Sequence, residues 1–121
     1  MIKAYHLYTG QDGHSQVVRG SIVDNVVVPA ESILFEESPP HSQLDWHNAP
    51  KTQYVITLSG VLEFTIHGGG TFTVHPGDVL IAEDTSGTGH KWRLTNDEPW
   101  RRLYVVFNAQ TKISFRADET Q

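Results

Sequence analysis

Between Val61 and His75 the chain alternates apolar and polar residues on both sides of three consecutive glycines. Leu62, Phe64 and Ile66 alternate with Glu63, Thr65 and His67, and Phe72 and Val74 then alternate with Thr71, Thr73 and His75. A period of two puts successive side chains on opposite faces of a strand, and Gly68, Gly69 and Gly70 supply the positive φ values of a tight turn. The segment therefore reads as a β-hairpin with one apolar and one wet face. Further strands are expected at Ala4 to Tyr8, Gln16 to Arg19, Ile22 to Val28, Ser32 to Glu36, Gln53 to Leu58, Asp78 to Ala82, Lys91 to Thr95 and Leu103 to Phe107. Turn residues separate most of them, among them Gln11-Asp12-Gly13, Pro39-Pro40, Ser59-Gly60, Pro76-Gly77-Asp78 and Asn96-Asp97-Glu98-Pro99. No stretch keeps a helical period between a cap and a stop, so the class is all-β. Short strands at this spacing must stack as a sandwich or close as a barrel, and alternation alone does not choose.

At 121 residues the chain is expected to form a single domain over 1–121, with the polar Ala117 to Gln121 fraying. It contains no Cys, which removes disulfides, thiolate catalysis and sulfur-ligated metals and leaves imidazole, amide and carboxylate as metal donors. A net charge of -5 and scattered Lys and Arg form no basic stripe, so nucleic acid is not an expected partner. No apolar run is long enough to span a bilayer, and the start, MIKAYHLYTG, has neither a basic n-region nor a long apolar h-region; no membrane association and a cytoplasmic location are expected. The seven His are the unusual feature of the composition. Taken singly, each is most simply an exposed or hydrogen-bonded structural side chain.

Two segments, together spanning roughly residues 45–95, carry a stronger signal. Asp45-Trp46-His47-Asn48-Ala49-Pro50-Lys51-Thr52-Gln53 runs on to Gly60, and Gly70 runs through Pro76-Gly77-Asp78 to His90. They resemble the two motifs of the cupin superfamily: His-x-His, three or four residues, Glu, six residues and Gly in the first; Gly, five residues, Pro-Gly-Asp, a strand, a loop and His in the second. With Gly60 in register, His47 takes the first His position, Ala49 the second, Gln53 the Glu position and His90 the last His. The resemblance implies a jelly-roll β-barrel of antiparallel strands with little or no helix, inside which these four positions converge. It also implies a homodimer, often with an exchanged N-terminal strand, here Ile2 to Tyr8.

The same resemblance implies a divalent metal, of the zinc, nickel, manganese or iron kind, held by His47, Gln53 and His90. Imidazole and amide donors suit such ions, and Gln at the Glu position also occurs in some metal-dependent cupins that act on sugars or cyanohydrins. Ala49 departs from the pattern and leaves three neutral donors with no anionic partner. The plain alternatives are a backbone-bonded loop histidine for His47 and a polar side chain at the start of a buried strand for Gln53. Parity puts His90 on one strand face with Trp92 and Leu94, so it should point inward. The acidic loop Glu83 to Gly89 is a candidate lid over the barrel mouth, or simply a solvated rim loop. Within it Glu83 is taken as a catalytic base beside His90, with Asp84 the neighbouring carboxylate able to serve if it faces the pocket. Trp46, Tyr54, Trp92 and Tyr104 are candidate pocket walls, a role that core packing explains equally well.

The expected function is a metal-dependent, non-redox enzyme, an isomerase, lyase or cyclase, acting on a small polar metabolite. The alternative from another class is a metal-free module that senses or sequesters a small molecule, for which Ala49 is the main support. A non-haem metal dioxygenase is the weaker option, because the two-His-one-carboxylate set is incomplete in the motif.

Overall fold

A computed structural model describes all residues, 1–121. The chain forms eleven strands: β1 (Lys3–Thr9), β2 (Ser15–Ser21), β3 (Ser32–Ser38), β4 (Gln43–His47), β5 (Gln53–Thr57), β6 (Leu62–Ile66), β7 (Thr71–Val74), β8 (Val79–Glu83), β9 (His90–Leu94), β10 (Trp100–Val106) and β11 (Arg116–Ala117). They make a seven-stranded sheet in the order β11-β2-β1-β8-β5-β10-β3 and a four-stranded sheet in the order β4-β9-β6-β7. All pairings are antiparallel except β1 with β8. The fold is an all-β jelly-roll barrel, and no helix long and apolar enough to cross a membrane is present.

Alternation builds two apolar layers. Tyr5, Leu7, Val55, Leu80 and Ala82 of the large sheet meet Leu62, Phe64, Phe72, Val74, Trp92 and Leu94 of the small one, closing the barrel interior. The other face of the large sheet carries Ala4, Tyr54, Val79 and Ile81, and Ile22, Val28, Ile113 and Phe115 cover it. The hairpin of β6 and β7 forms as its pattern dictates, with Gly68 and Gly69 both at φ 89°.

One strand expectation is corrected. Ile22 to Val28 is not a strand: its Val26-Val27-Val28 run does not alternate, Asn25 takes φ 60°, and Pro29 follows, so it crosses the outer face as irregular cover. At the C-terminus Ala117 pairs with Gly20, and the Gln121 carboxamide accepts from the Arg19 N–H and donates to its carbonyl, both at 2.8 Å. Strand β1 is hydrogen-bonded to β2 on one edge and to β8 on the other, within the same chain.

Candidate functional site

A half-open cavity of about 380 Å³ is lined by residues of both sheets. His47, Gln53 and His90, separated by up to 43 positions, all reach it, as do Trp92 and Tyr104. That volume lies near the lower end of the roughly 300–1,000 Å³ range of small-molecule sites.

His90 opens β9 opposite His47 at the end of β4, and the ring centroids are 4.4 Å apart. The approach depends on two local devices. A register shift between Leu44 and His47 bends β4, and Gly89 at φ 74° lets the chain pass against the His47 backbone, where a Cβ would collide with the His47 carbonyl.

Asp84 is the residue that gives this pair its chemistry. It is 0% exposed, and its Oδ2 accepts from His90 Nδ1 at 2.6 Å and from the Ser15 hydroxyl at 2.8 Å. Its Oδ1 is buried with no partner. In the neutral tautomer that gives its Nδ1 proton to Asp84, His90 carries its lone pair on Nε2. His47 is set the same way, its Nδ1 donating to the Asp45 carbonyl at 2.8 Å. Burial, assisted by the neighbouring His90, holds the His47 pKa below its ordinary value, against the opposing pull of the Asp45 hydrogen bond. A neutral imidazole is the form that ligates or accepts a proton.

Gln53 is 7% exposed at the start of β5, and its carboxamide makes no side-chain hydrogen bond within the chain. Ala49 also lines the cavity, and its N–H bonds to the Asp84 carbonyl. No cluster of three or more His, Cys, Asp or Glu side chains is placed to hold an ion. The donors available to a metal are therefore two imidazoles and an amide. The buried Asp84 carboxylate, one atom-shell behind His90, supplies the compensating negative charge that the ligand set itself lacks. Metal-ligating histidines commonly pass their other ring N–H to a carboxylate in this way, and imidazole is the donor type that such divalent ions prefer.

Three assigned residues lie elsewhere. Glu83 does not face the cavity: on β8 the inward positions are Leu80 and Ala82, so Glu83 falls on the outer face with Ile81 and meets His6 Nε2 at 2.7 Å, while Asp84 continues the inward series. Tyr54 is likewise on the outer face, packed on Phe107, with its hydroxyl accepting from the Ser114 N–H at 3.0 Å. Trp46 sits on the exposed edge strand at 46% exposure, with Lys91 Nζ 5.2 Å from its ring. The loop 83–89 is bonded to its neighbours: Thr88 N–H to the Gly13 carbonyl, Thr9 to the Ser86 carbonyl and Asn48 to the Gly87 carbonyl.

Glu36, Trp100 and Arg102 are among the cavity residues that escaped the sequence reading. Trp100 and Arg102 alternate with Tyr104 along β10, and all three point inward. The alternation Trp-x-Arg-x-Tyr was visible, but a basic side chain at an inward position runs against the binary pattern by which strands are recognised.

A model of the cupin domain matches residues 34–107, more than half of the chain. The fold is similar to that of a conserved protein with a double-stranded beta-helix domain from Klebsiella pneumoniae subsp. pneumoniae MGH 78578, at 20% identity over 83% of this chain and 84% of that one, with a TM-score of 0.52. It is also similar to a Cupin 2 conserved barrel domain protein from Salinispora arenicola CNS-205 (17% identity, 85% and 82% covered, TM-score 0.51) and to the Cnp3 cupin domain of Schizosaccharomyces pombe (14% identity, 89% and 86% covered, TM-score 0.51). At these identities the likeness is one of fold. No curated protein matches the chain significantly. The matched motifs and the jelly-roll barrel together establish that this chain belongs to the cupin domain family.

Proposed function

We propose that the chain is a small-molecule enzyme of the isomerase, lyase or cyclase type, in which His47, Gln53 and His90 hold a divalent ion at one end of the cavity. The observation that carries this reading is the His90–Asp84 pair. A carboxylate with no solvent exposure and an unpartnered Oδ1 is costly unless a positive charge lies next to it, and either a protonated His90 or a dication on Nε2 of neutral His90 would supply one. Such an ion would act as a Lewis acid on a substrate carbonyl or hydroxyl. The protein's own part is positional. Asp84 orients the ring of His90, the Asp45 carbonyl does so for His47, and Phe64, Leu80 and Trp92 wall the cavity with apolar surface. Glu36, the only carboxylate side chain lining the cavity, takes the proton-moving role first assigned to Glu83.

A metal-free binding module is the second reading, favoured by Ala49 at the second His position and by the neutral donor set. Metal analysis of protein purified without chelator or affinity tag separates the two. Near-stoichiometric zinc, nickel, manganese or iron that falls on His47→Gln supports the enzyme. No metal after growth with each ion sinks the metal reading and leaves the binding module.

A further inference from the structure

The opposite side of the cavity holds a buried cation that the metal-site reading does not use. Arg102 is 4% exposed and lines the cavity from β10. Its guanidinium lies 3.9 Å from the Trp100 ring centroid, which fixes its plane. Nε donates to the Tyr104 hydroxyl at 3.0 Å, and both protons of Nη1 are taken, by Ser38 Oγ at 2.8 Å and the Trp100 carbonyl at 3.0 Å. Nη2 has no hydrogen bond within the chain. Its one charged neighbour is Glu36, whose Oε1 stands 3.6 Å away on a half-exposed side chain, beyond hydrogen-bonding distance. The Tyr104 hydroxyl accepts from Arg102 and donates to nothing in the chain, so its proton is also free.

We propose that Arg102 Nη2 and the Tyr104 hydroxyl form an anion-recognition end of the cavity, and that the molecule it takes is a compact monocarboxylate with an apolar body. Building on the enzyme reading, this names the substrate class. One guanidinium balances one negative charge, and no Lys or second Arg lines the cavity to neutralise a phosphate dianion. The remaining wall, including Leu34, Val55, Phe64 and Leu80, suits a hydrocarbon body. A carboxylate docked on Nη2 would displace the loose Glu36 contact and gain a charge-assisted bond in a desolvated setting.

The test titrates the full-length protein with acetate, butyrate and benzoate, each paired with its own neutral amide, and follows heat or the fluorescence of the cavity tryptophans. At least one acid should bind roughly tenfold or more tightly than its amide, the amount expected of one charge-assisted bond. Equal affinities throughout would overturn the proposal. Arg102→Met should erase the preference, and a preference that survives it overturns the assignment. Since a substitution at a buried position can unfold the chain, Tyr104→Phe provides an independent check: it removes only the hydroxyl and should cut the acid-to-amide ratio by roughly threefold or more, whereas an unchanged ratio counts against the site. Protein that takes up metal at His47 and His90 but shows no acid preference sinks this inference alone. An acid preference in protein that takes up no metal leaves it standing and sinks the metal reading.

Discussion

The buried pair His90–Asp84 makes a prediction with an unusual sign. In His90→Ala, Asp84 loses its only basic neighbour, at 2.6 Å, and remains wholly enclosed with a single side-chain donor, Ser15, on Oδ2 and none on Oδ1. Removing one partner of a buried pair and stranding the other charge typically costs about 3–5 kcal/mol. A chain of this length is expected to have a net stability of roughly 6–18 kcal/mol, so the loss is a large fraction of the whole. Adding Asp84→Asn to that background removes the stranded charge while keeping the side-chain shape, and roughly 2–3 kcal/mol should return. Urea unfolding followed by tryptophan fluorescence reads both steps. With slopes of about 1–3 kcal/mol per M, the His90→Ala midpoint should fall by more than roughly 1 M and the double variant should recover a good part of it. The comparison is made on metal-free protein, so that ligand loss does not enter the difference. If Asp84→Asn brings no recovery, or destabilises His90→Ala further, the two residues are not an electrostatic unit and the account of the site fails.

Three shorter predictions concern separate features. Ala49→His should raise zinc affinity by at least tenfold in a competition titration, since position 49 lines the same cavity wall as His47; an unchanged affinity would mean that the side chain points away from the ion. Gly89→Ala should cost more than about 1 kcal/mol and weaken metal binding together with stability, because its Cβ would strike the His47 carbonyl at a positive φ; normal metal uptake would detach the backbone crossing from the site. Burial raises the pKa of Tyr54 and of Tyr104 above the ordinary tyrosine value, against hydrogen bonds from Ser114 and Arg102 that pull the other way. A raised folded-state value means the unfolded chain ionises first, so these contributions are whole below about pH 10 and are lost as pH rises beyond it. Tyr54→Phe should remove a late component from the alkaline absorbance titration at constant fold, and an unaltered curve would count against burial as the cause.

Much of the barrel was readable because burial on one face imprints a period of two on each strand. The hairpin of β6 and β7 and the inward direction of His90 follow from that alone. Strand β4 left no such mark: an edge strand with Leu44 and Trp46 both exposed has no buried face to write a pattern. Parity also contained the answer to Glu83 and Asp84, since Leu80, Ala82 and Asp84 share one face, but it becomes decisive only once β8 is known to run regularly to its end. Tyr54 shows the same limit from the other side. It sits on a strand buried on both faces, where apolar residues run continuously and alternation cannot tell interior from outer cover.

The residues alone determined that the chain would be all-β, would lack sulfur chemistry, and would carry His47, Gln53 and His90 at spacings that resemble the cupin motifs. Tertiary structure decided what stands around them: Asp84 behind His90, the Asp45 carbonyl behind His47, and Arg102 across the cavity with one end of its guanidinium free. The physical reason is that strand periodicity is a local property, set by which face is buried. The charge balance of a cavity depends on which of many inward side chains face one another across two sheets, and only the closed barrel fixes that.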